Sequence, residues 1–269
     1  MNEAVEKEYS NRNRVAQWED IVGQWRSRSE EFMSTSAGLS GAINVAYGQG
    51  AREVYDVFEA PGADKLMIFI HGGYWRSFAK EPHRFIAPAW LAAGFSVVLI
   101  EYELCPQISL TGITEQVERA LNHLAQTRSE SRWLLSGHSA GGHLTAMMWR
   151  DQARLSEQAQ FCLQAAMSLS GVHDLKPMRD FSANVDLQLS EQEAILQSPM
   201  YFSPKSTRHF LAAVGGDESD GFKYQTEILS RSWALQEPDL QIPQRNHFDV
   251  LLDLADANSL LFQRTRSLL

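Results

Sequence analysis

From Leu66 onward the chain carries a series of short runs that are apolar almost throughout: Leu66 to Ile70, Ser96 to Glu101, Trp133 to Ser136, Ala165 to Leu169 and Phe210 to Val214. A strand without polar alternation must be covered on both faces, which is the signature of a parallel sheet between two layers of helices. Three further runs, Ala42 to Ala46, Val54 to Phe58 and Leu240 to Ile242, bring the expected strands to eight. Helical patterns fall between them at about 83–93, 113–127, 141–153, 221–235 and 248–266. In the second, Ile113, Val117, Ala120, Leu121 and Leu124 recur every three or four residues, so they share one face, which should pack on the sheet. This alternation predicts an α/β fold with a mostly parallel, doubly wound sheet of about eight strands, whose chemistry lies at the carboxyl ends of the strands.

Two stretches stand outside the repeat. Residues 1–40 hold Tyr9, Trp18, Trp25 and Phe32 in a polar helical context and read as an N-terminal arm lying across the domain. Residues 171–208 separate two expected strands by more than an ordinary connection and read as a small cap. With 269 residues, 44% of them hydrophobic, the chain can bury one sizeable core, and a single domain over 1–269 is expected.

Charge and composition exclude several classes of function. The net charge of −9 and the absence of a dense Lys/Arg run argue against a nucleic-acid partner. The N-terminus is polar and acidic, unlike a secretory signal, and runs such as FSVVLI fall far short of the roughly 20 apolar residues of a membrane helix. Cys105 and Cys162 offer neither a disulfide framework nor a metal-binding pair, and a cytoplasmic protein without a membrane partner is expected.

The strand WLLS is followed by Gly137-His138-Ser139-Ala140-Gly141 and then by a helical LTAMMW. G-x-S-x-G between a strand and a helix is a nucleophile elbow: small flanking residues let the chain turn sharply enough to hold the serine strained, with its hydroxyl exposed at the sheet edge. The N-terminus of the helix favours developing negative charge there. One strand earlier, LMIFI leads into His71-Gly72-Gly73-Tyr74-Trp75. Acyl transfer needs backbone N–H donors in place for an oxyanion, and Gly72, Gly73 and the N–H of Ala140 are the expected donors.

A serine hydroxyl needs a base, and the base needs an acid to orient it. In this kind of fold they follow in the order serine, acid, histidine. His247, after the last strand, is the expected base for Ser139. Asp217, the first carboxylate after the strand HFLAAV, is the expected acid, with Glu218 and Asp220 as the alternatives. Tyr74, Trp75, Phe78 and His138 are the expected pocket residues, Phe181, Tyr201 and Phe202 of the cap could close its other side, and His71 is expected to brace the oxyanion loop. His83, His123, His173 and His209 read as surface or packing residues. No HExxH, zinc-spaced Cys/His cluster, GK[ST] or GxGxxG is present, so neither a metal nor a nucleotide cofactor is implied.

HGGYW, EYELCPQISL, GHSAGGHLTA, SGVHDL, GGDES and NHFDV, together with the N-terminal EKEYSNRNRV, resemble the α/β-hydrolase superfamily, and within it the arylformamidase (kynurenine formamidase) branch. The resemblance spans nearly the whole chain. It puts the nucleophile on Ser139, the acid on Asp217, the base on His247 and the oxyanion loop on Gly72 and Gly73. It implies an α/β-hydrolase fold, no cofactor, a homodimer by the habit of the branch, and hydrolysis of N-formylkynurenine or simple aryl esters. Two departures bear on the pocket: Arg76 stands where glutamine is expected, and the loop at Asp217 is about one residue longer than in the branch. The expected activity is metal-independent cleavage of a small aromatic amide by two-step acyl transfer, the alternative being a carboxylesterase or another amide or carbamate hydrolase on the same scaffold. A charged contact for an amino-acid substrate remains open among Arg76, Arg179, Lys205 and others.

Overall fold

The computed structural model describes residues 2–128 and 132–269. The chain opens with four helices, α1 (Glu3–Tyr9), α2 (Asn11–Arg14), α3 (Trp18–Met33) and α4 (Ser36–Leu39), before β1 (Ala42–Ala46) and β2 (Val54–Phe58). There follow β3 (Lys65–Ile70), a 3-10 turn at Glu81–Ile86, α5 (Ala87–Ala92), β4 (Phe95–Ile100), α6 (Leu110–Thr127), β5 (Arg132–His138), α7 (Ala140–Trp149), α8 (Glu157–Cys162) and β6 (Leu163–Leu169). The connection from β6 to β7 (Phe210–Gly215) carries α9 (Asn184–Leu187) and α10 (Glu191–Leu196). The chain closes with α11 (Asp220–Ser232), β8 (Leu240–Ile242), α12 (Val250–Asp253) and α13 (Leu260–Arg266).

All eight strands join one sheet in the order β1-β2-β4-β3-β5-β6-β7-β8. β2 is antiparallel to both of its neighbours, and every pair from β4 to β8 is parallel. This is the α/β-hydrolase fold. The apolar runs are covered on both faces, as their lack of alternation requires. Leu66, Ile68 and Ile70 of β3 pack into one core with the inner faces of α6, α7 and α11, while Met67 and Phe69 pack into a second with α3, α5, α12 and α13. The five apolar residues expected on one face of α6 are all buried. That helix begins three residues earlier than its periodicity suggests, because the Ser109 hydroxyl caps it by accepting the Gly112 N–H at 3.1 Å.

The expected helix at 248–266 is broken instead into α12 and α13, the second starting afresh at the Ser259 cap. In the N-terminal segment, α3 packs on the 3-10 turn after β3, where Trp25 lies against Phe85 and the Phe85 N–H donates to Ser29 Oγ at 3.0 Å. Among the described residues no helix is long and apolar enough to cross a membrane.

Candidate active site

The site lies where β3, β5, β7 and β8 end. β5 stops at His138 and α7 starts at Ala140, leaving Ser139 between them at φ 57°, ψ −117°. A residue other than glycine is strained there, and only the surrounding structure keeps it so. Its N–H donates to Leu169 O at 2.8 Å, which ties the elbow to β6. The elbow closes because α7 presses on β3: a Cβ on Gly141 would come within 2.0 Å of Ile70 O.

On the other side runs the loop after β3. Gly73 has φ +109°, where a side chain would also strike Ser77 O at 2.1 Å. Tyr74, Trp75 and Phe78 continue in the left-handed region at φ 50°, 55° and 68°. A Cβ on Gly72 would lie 3.0 Å from Ser139 Cβ, so this loop touches Ser139 directly. Among the described residues, no backbone carbonyl takes the N–H groups of Gly72, Gly73 or Ala140.

The loop has a polar footing. His71 Nδ1 donates to Gly72 O and its Nε2 meets Glu101 Oε1, both at 2.8 Å. Glu101 also accepts from Arg52, the Tyr102 N–H and the Lys80 N–H. Burial pushes the Glu101 carboxyl up, but His71, Arg52 and the Tyr102 amide outweigh it and hold the group down at about 2. The carboxylate that ends the apolar run Ser96 to Glu101 is the sequence feature that could have marked this brace.

His247 follows β8 and is buried. Its Nδ1 pairs with Glu218 Oε2 at 2.6 Å. Glu218 is fixed in turn, its Oε1 accepting the Ser170 hydroxyl at 2.5 Å and the Gly215 N–H at 2.8 Å. The carboxylate on the imidazole is therefore Glu218 and not Asp217. After β7 the chain makes a tight turn, with the Glu218 N–H donating to Gly215 O at 3.1 Å. That turn folds residue 218 back under the strand end, while Asp217, held by its own N–H to Arg245 O at 2.9 Å, is exposed. First in sequence is not shortest in space.

Ser139 and His247 line one cavity together with Gly72, Gly73, Tyr74, Phe78 and His138. His138 holds the His247 backbone by donating from Nε2 to His247 O at 2.8 Å, and burial, followed by the nearby His247, keeps its ring well below the ordinary histidine range. Trp75 is the exception among the expected pocket residues: fully buried, it packs edge-on against His143 at 5.0 Å in the core and does not reach the cavity. Of the three cap aromatics only Phe181 lines the cavity, with Ser182 and Asp186 of the same segment, and Tyr201 and Phe202 do not. His83, expected at the surface or in packing, is buried and lines the cavity. His173 is buried on Ser168 and Gln225, His123 bonds Tyr55, and His209 bonds Leu268 O. The cavity also contains Asn11 and Arg12, which lie in the N-terminal EKEYSNRNRV stretch but carry no expected role, and Trp25 of the arm.

Known proteins resemble this chain in sequence and fold to different depths. A protein of Salmo salar named kynurenine formamidase is 29% identical over 260 residues, covering 91% of this chain and 88% of the relative. The solved structure of a candidate thioesterase from Silicibacter sp. superposes with a TM-score of 0.86 at 30% identity, covering 95% of this chain and 96% of the other. Esterase B of Lactobacillus rhamnosis, at 16% identity and a TM-score of 0.67 over 94% of each chain, shares the fold. The BD-FAE family model matches residues 54–212, more than half of the sequence, and the chain belongs to the BD-FAE family.

Proposed function

We propose that the protein is a serine hydrolase that cleaves an aryl formamide of the N-formylkynurenine kind to the arylamine and formate, in the cytoplasm. The observation that carries the chemistry is the Glu218–His247 pair at 2.6 Å, in the same cavity as a serine held at positive φ. The formamide is supported by the 29% identity, over most of both chains, to a protein named for that substrate.

The steps follow from the positions. Glu218 holds the Nδ1 proton of His247, leaving Nε2 to take the proton from Ser139 Oγ as it attacks the formyl carbon. The N–H groups of Gly72, Gly73 and Ala140 receive the oxyanion. As the tetrahedral intermediate collapses, the C–N bond breaks and the imidazolium gives its proton to the leaving nitrogen. Water, deprotonated by the same imidazole, attacks the formyl ester, and formate leaves as Ser139 regains its proton. The overall reaction adds one water across one amide bond.

A second reading, an ester or thioester hydrolase, is favoured by the 30% identity to the candidate thioesterase. Steady-state kcat/KM for N-formylkynurenine, formanilide, phenyl acetate and an acyl thioester separates the two. Turnover of esters or thioesters with none of either formamide sinks the first reading.

A further inference from the structure

The polar lining of the cavity is shared by the N-terminal segment, the loop after β3 and the cap. Three charged side chains of fixed sign line it: Arg12, Arg76 and Asp186. Arg76 and Asp186 pair with each other, so their charges cancel at the mouth. Arg12 has no carboxylate partner among the described residues. Its guanidinium is held over aromatic faces instead, 4.6 Å from the Trp18 ring centre and 5.9 Å from that of Phe78. Beside it Asn11, only 4% exposed, keeps its Nδ2 without any hydrogen-bond partner. An uncompensated cation next to a buried donor without an acceptor is a site waiting for an anion with oxygen acceptors.

The segment is anchored firmly enough to hold such groups in place. The Ser219 hydroxyl donates to Glu8 O at 2.6 Å, the Gly221 N–H to Glu8 Oε2 at 2.7 Å, and Gln225 Nε2 to the Tyr9 hydroxyl at 3.0 Å. The Tyr74 hydroxyl donates to Tyr9 O, so the oxyanion loop and the arm are joined. Of the other cations considered for substrate charge, Arg179 pairs with Glu191, and Lys205 donates to Leu163 O in a separate depression. A chain of net charge −9 repels an anionic substrate at a distance, and a local cation at the cavity offsets this where the substrate enters.

We infer that Arg12 and Asn11 bind a carboxylate carried on the leaving group, and that the preferred substrate is an aromatic amide or ester with an anionic side arm reaching away from the scissile bond. This rests on Ser139 being the nucleophile of the cavity, but not on the acyl group being formyl. The test is the ratio of kcat/KM for a carboxylate-bearing substrate to that for its neutral analogue. It is measured in two pairs, N-formylkynurenine against formanilide, and 3-(4-acetoxyphenyl)propanoate against 4-methylphenyl acetate. Arg12→Gln should lower the ratio about 10- to 100-fold, through KM, the size of a lost charge-assisted contact. Arg12→Lys should recover part of it, and Asn11→Asp should lower it again by placing like charge at the carboxylate. A ratio unchanged by Arg12→Gln, whether overall activity falls or not, overturns the inference. If the wild-type protein turns over the esters and not the formamides, the formamide reading fails, and the ester pair still decides the role of Arg12. Arg12 is exposed, so its replacement should leave the fold intact and keep the test decisive even if Asn11 variants fold poorly.

Discussion

Glu218 Oε2 lies 2.6 Å from His247 Nδ1, while Asp217, one residue earlier, is exposed. The two carboxylates are adjacent in sequence and opposite in setting. Glu218→Gln keeps the shape but cannot hold the Nδ1 proton as an ion, and kcat should fall roughly 10³- to 10⁴-fold with little change in KM. Asp217→Asn should stay within about threefold of wild type, as a surface change does. A severe loss in Asp217→Asn with an active Glu218→Gln would reverse the assignment.

That pair also shows where sequence reading stops. The sheet was legible because burial on both faces writes itself as uninterrupted apolar runs, and β1, β2 and β8 fall at their expected bounds. The elbow was legible because its turn demands small residues at fixed offsets around Ser139. The acid was not, since which of Asp217, Glu218 and Asp220 meets the imidazole depends on the turn closed by the Glu218 N–H on Gly215 O. Trp75 misled for a related reason: it follows Gly72 and Gly73, but its indole is buried in the core against His143, while Tyr74 beside it lines the cavity. Asn11, Arg12 and Trp25 enter the cavity through long-range docking of the arm: the EKEYSNRNRV stretch singles out the first two, but nothing local says what they will face.

The aromatic residues beside the glycines should therefore separate by function. Phe78→Ala removes a cavity wall and should raise KM for aryl substrates roughly 3- to 10-fold, with alkyl esters little affected. Trp75→Leu instead opens a void in the core against His143 and should lower stability by about 2–5 kcal/mol in urea titrations. Its ratio of aryl to alkyl turnover should match wild type. An altered ratio would put the indole back in the pocket.

Acid should destabilise the fold through buried neutral histidines. Burial holds His83 and His143 at about 3 and His173 at about 4. In the unfolded chain the same groups titrate near about 6.5. Their folded pKa values are lowered, so the stability they contribute is fully present above pH 6.5 and is lost on acidification toward pH 3–4, as the unfolded state takes up protons the native state refuses. With His138, also held well below the ordinary histidine range by burial, there are four such groups, and the slope in this window reaches about 5 kcal/mol per pH unit. Glu101, held at about 2, adds a further loss of the same sign below its ordinary range. Unfolding free energies between pH 7 and 5 should show the slope, and His173→Gln should reduce it by about a quarter. A flat profile, or one steepening toward alkaline pH, would contradict these buried neutral rings.

The last expectation sets activity against stability at one residue. Ser139 sits at φ 57°, ψ −117°, a region that disfavours any side chain, and it persists because β5 and α7 hold it there. Replacing it with alanine removes the nucleophile and keeps the Cβ, so turnover should fall on the order of 10⁴- to 10⁶-fold while the melting temperature stays close to wild type. Replacing it with glycine removes the Cβ as well and relieves backbone strain, worth about 1–3 kcal/mol. Glycine's greater freedom in the unfolded chain gives back about 0.5–1 kcal/mol. Ser139→Gly should therefore be equally inactive yet melt a few degrees above Ser139→Ala, the shift expected of about 1 kcal/mol in a chain of this size. Calorimetry on the two variants decides the matter: a glycine variant melting below the alanine variant would show that the elbow is not strained and that the positive φ carries no cost.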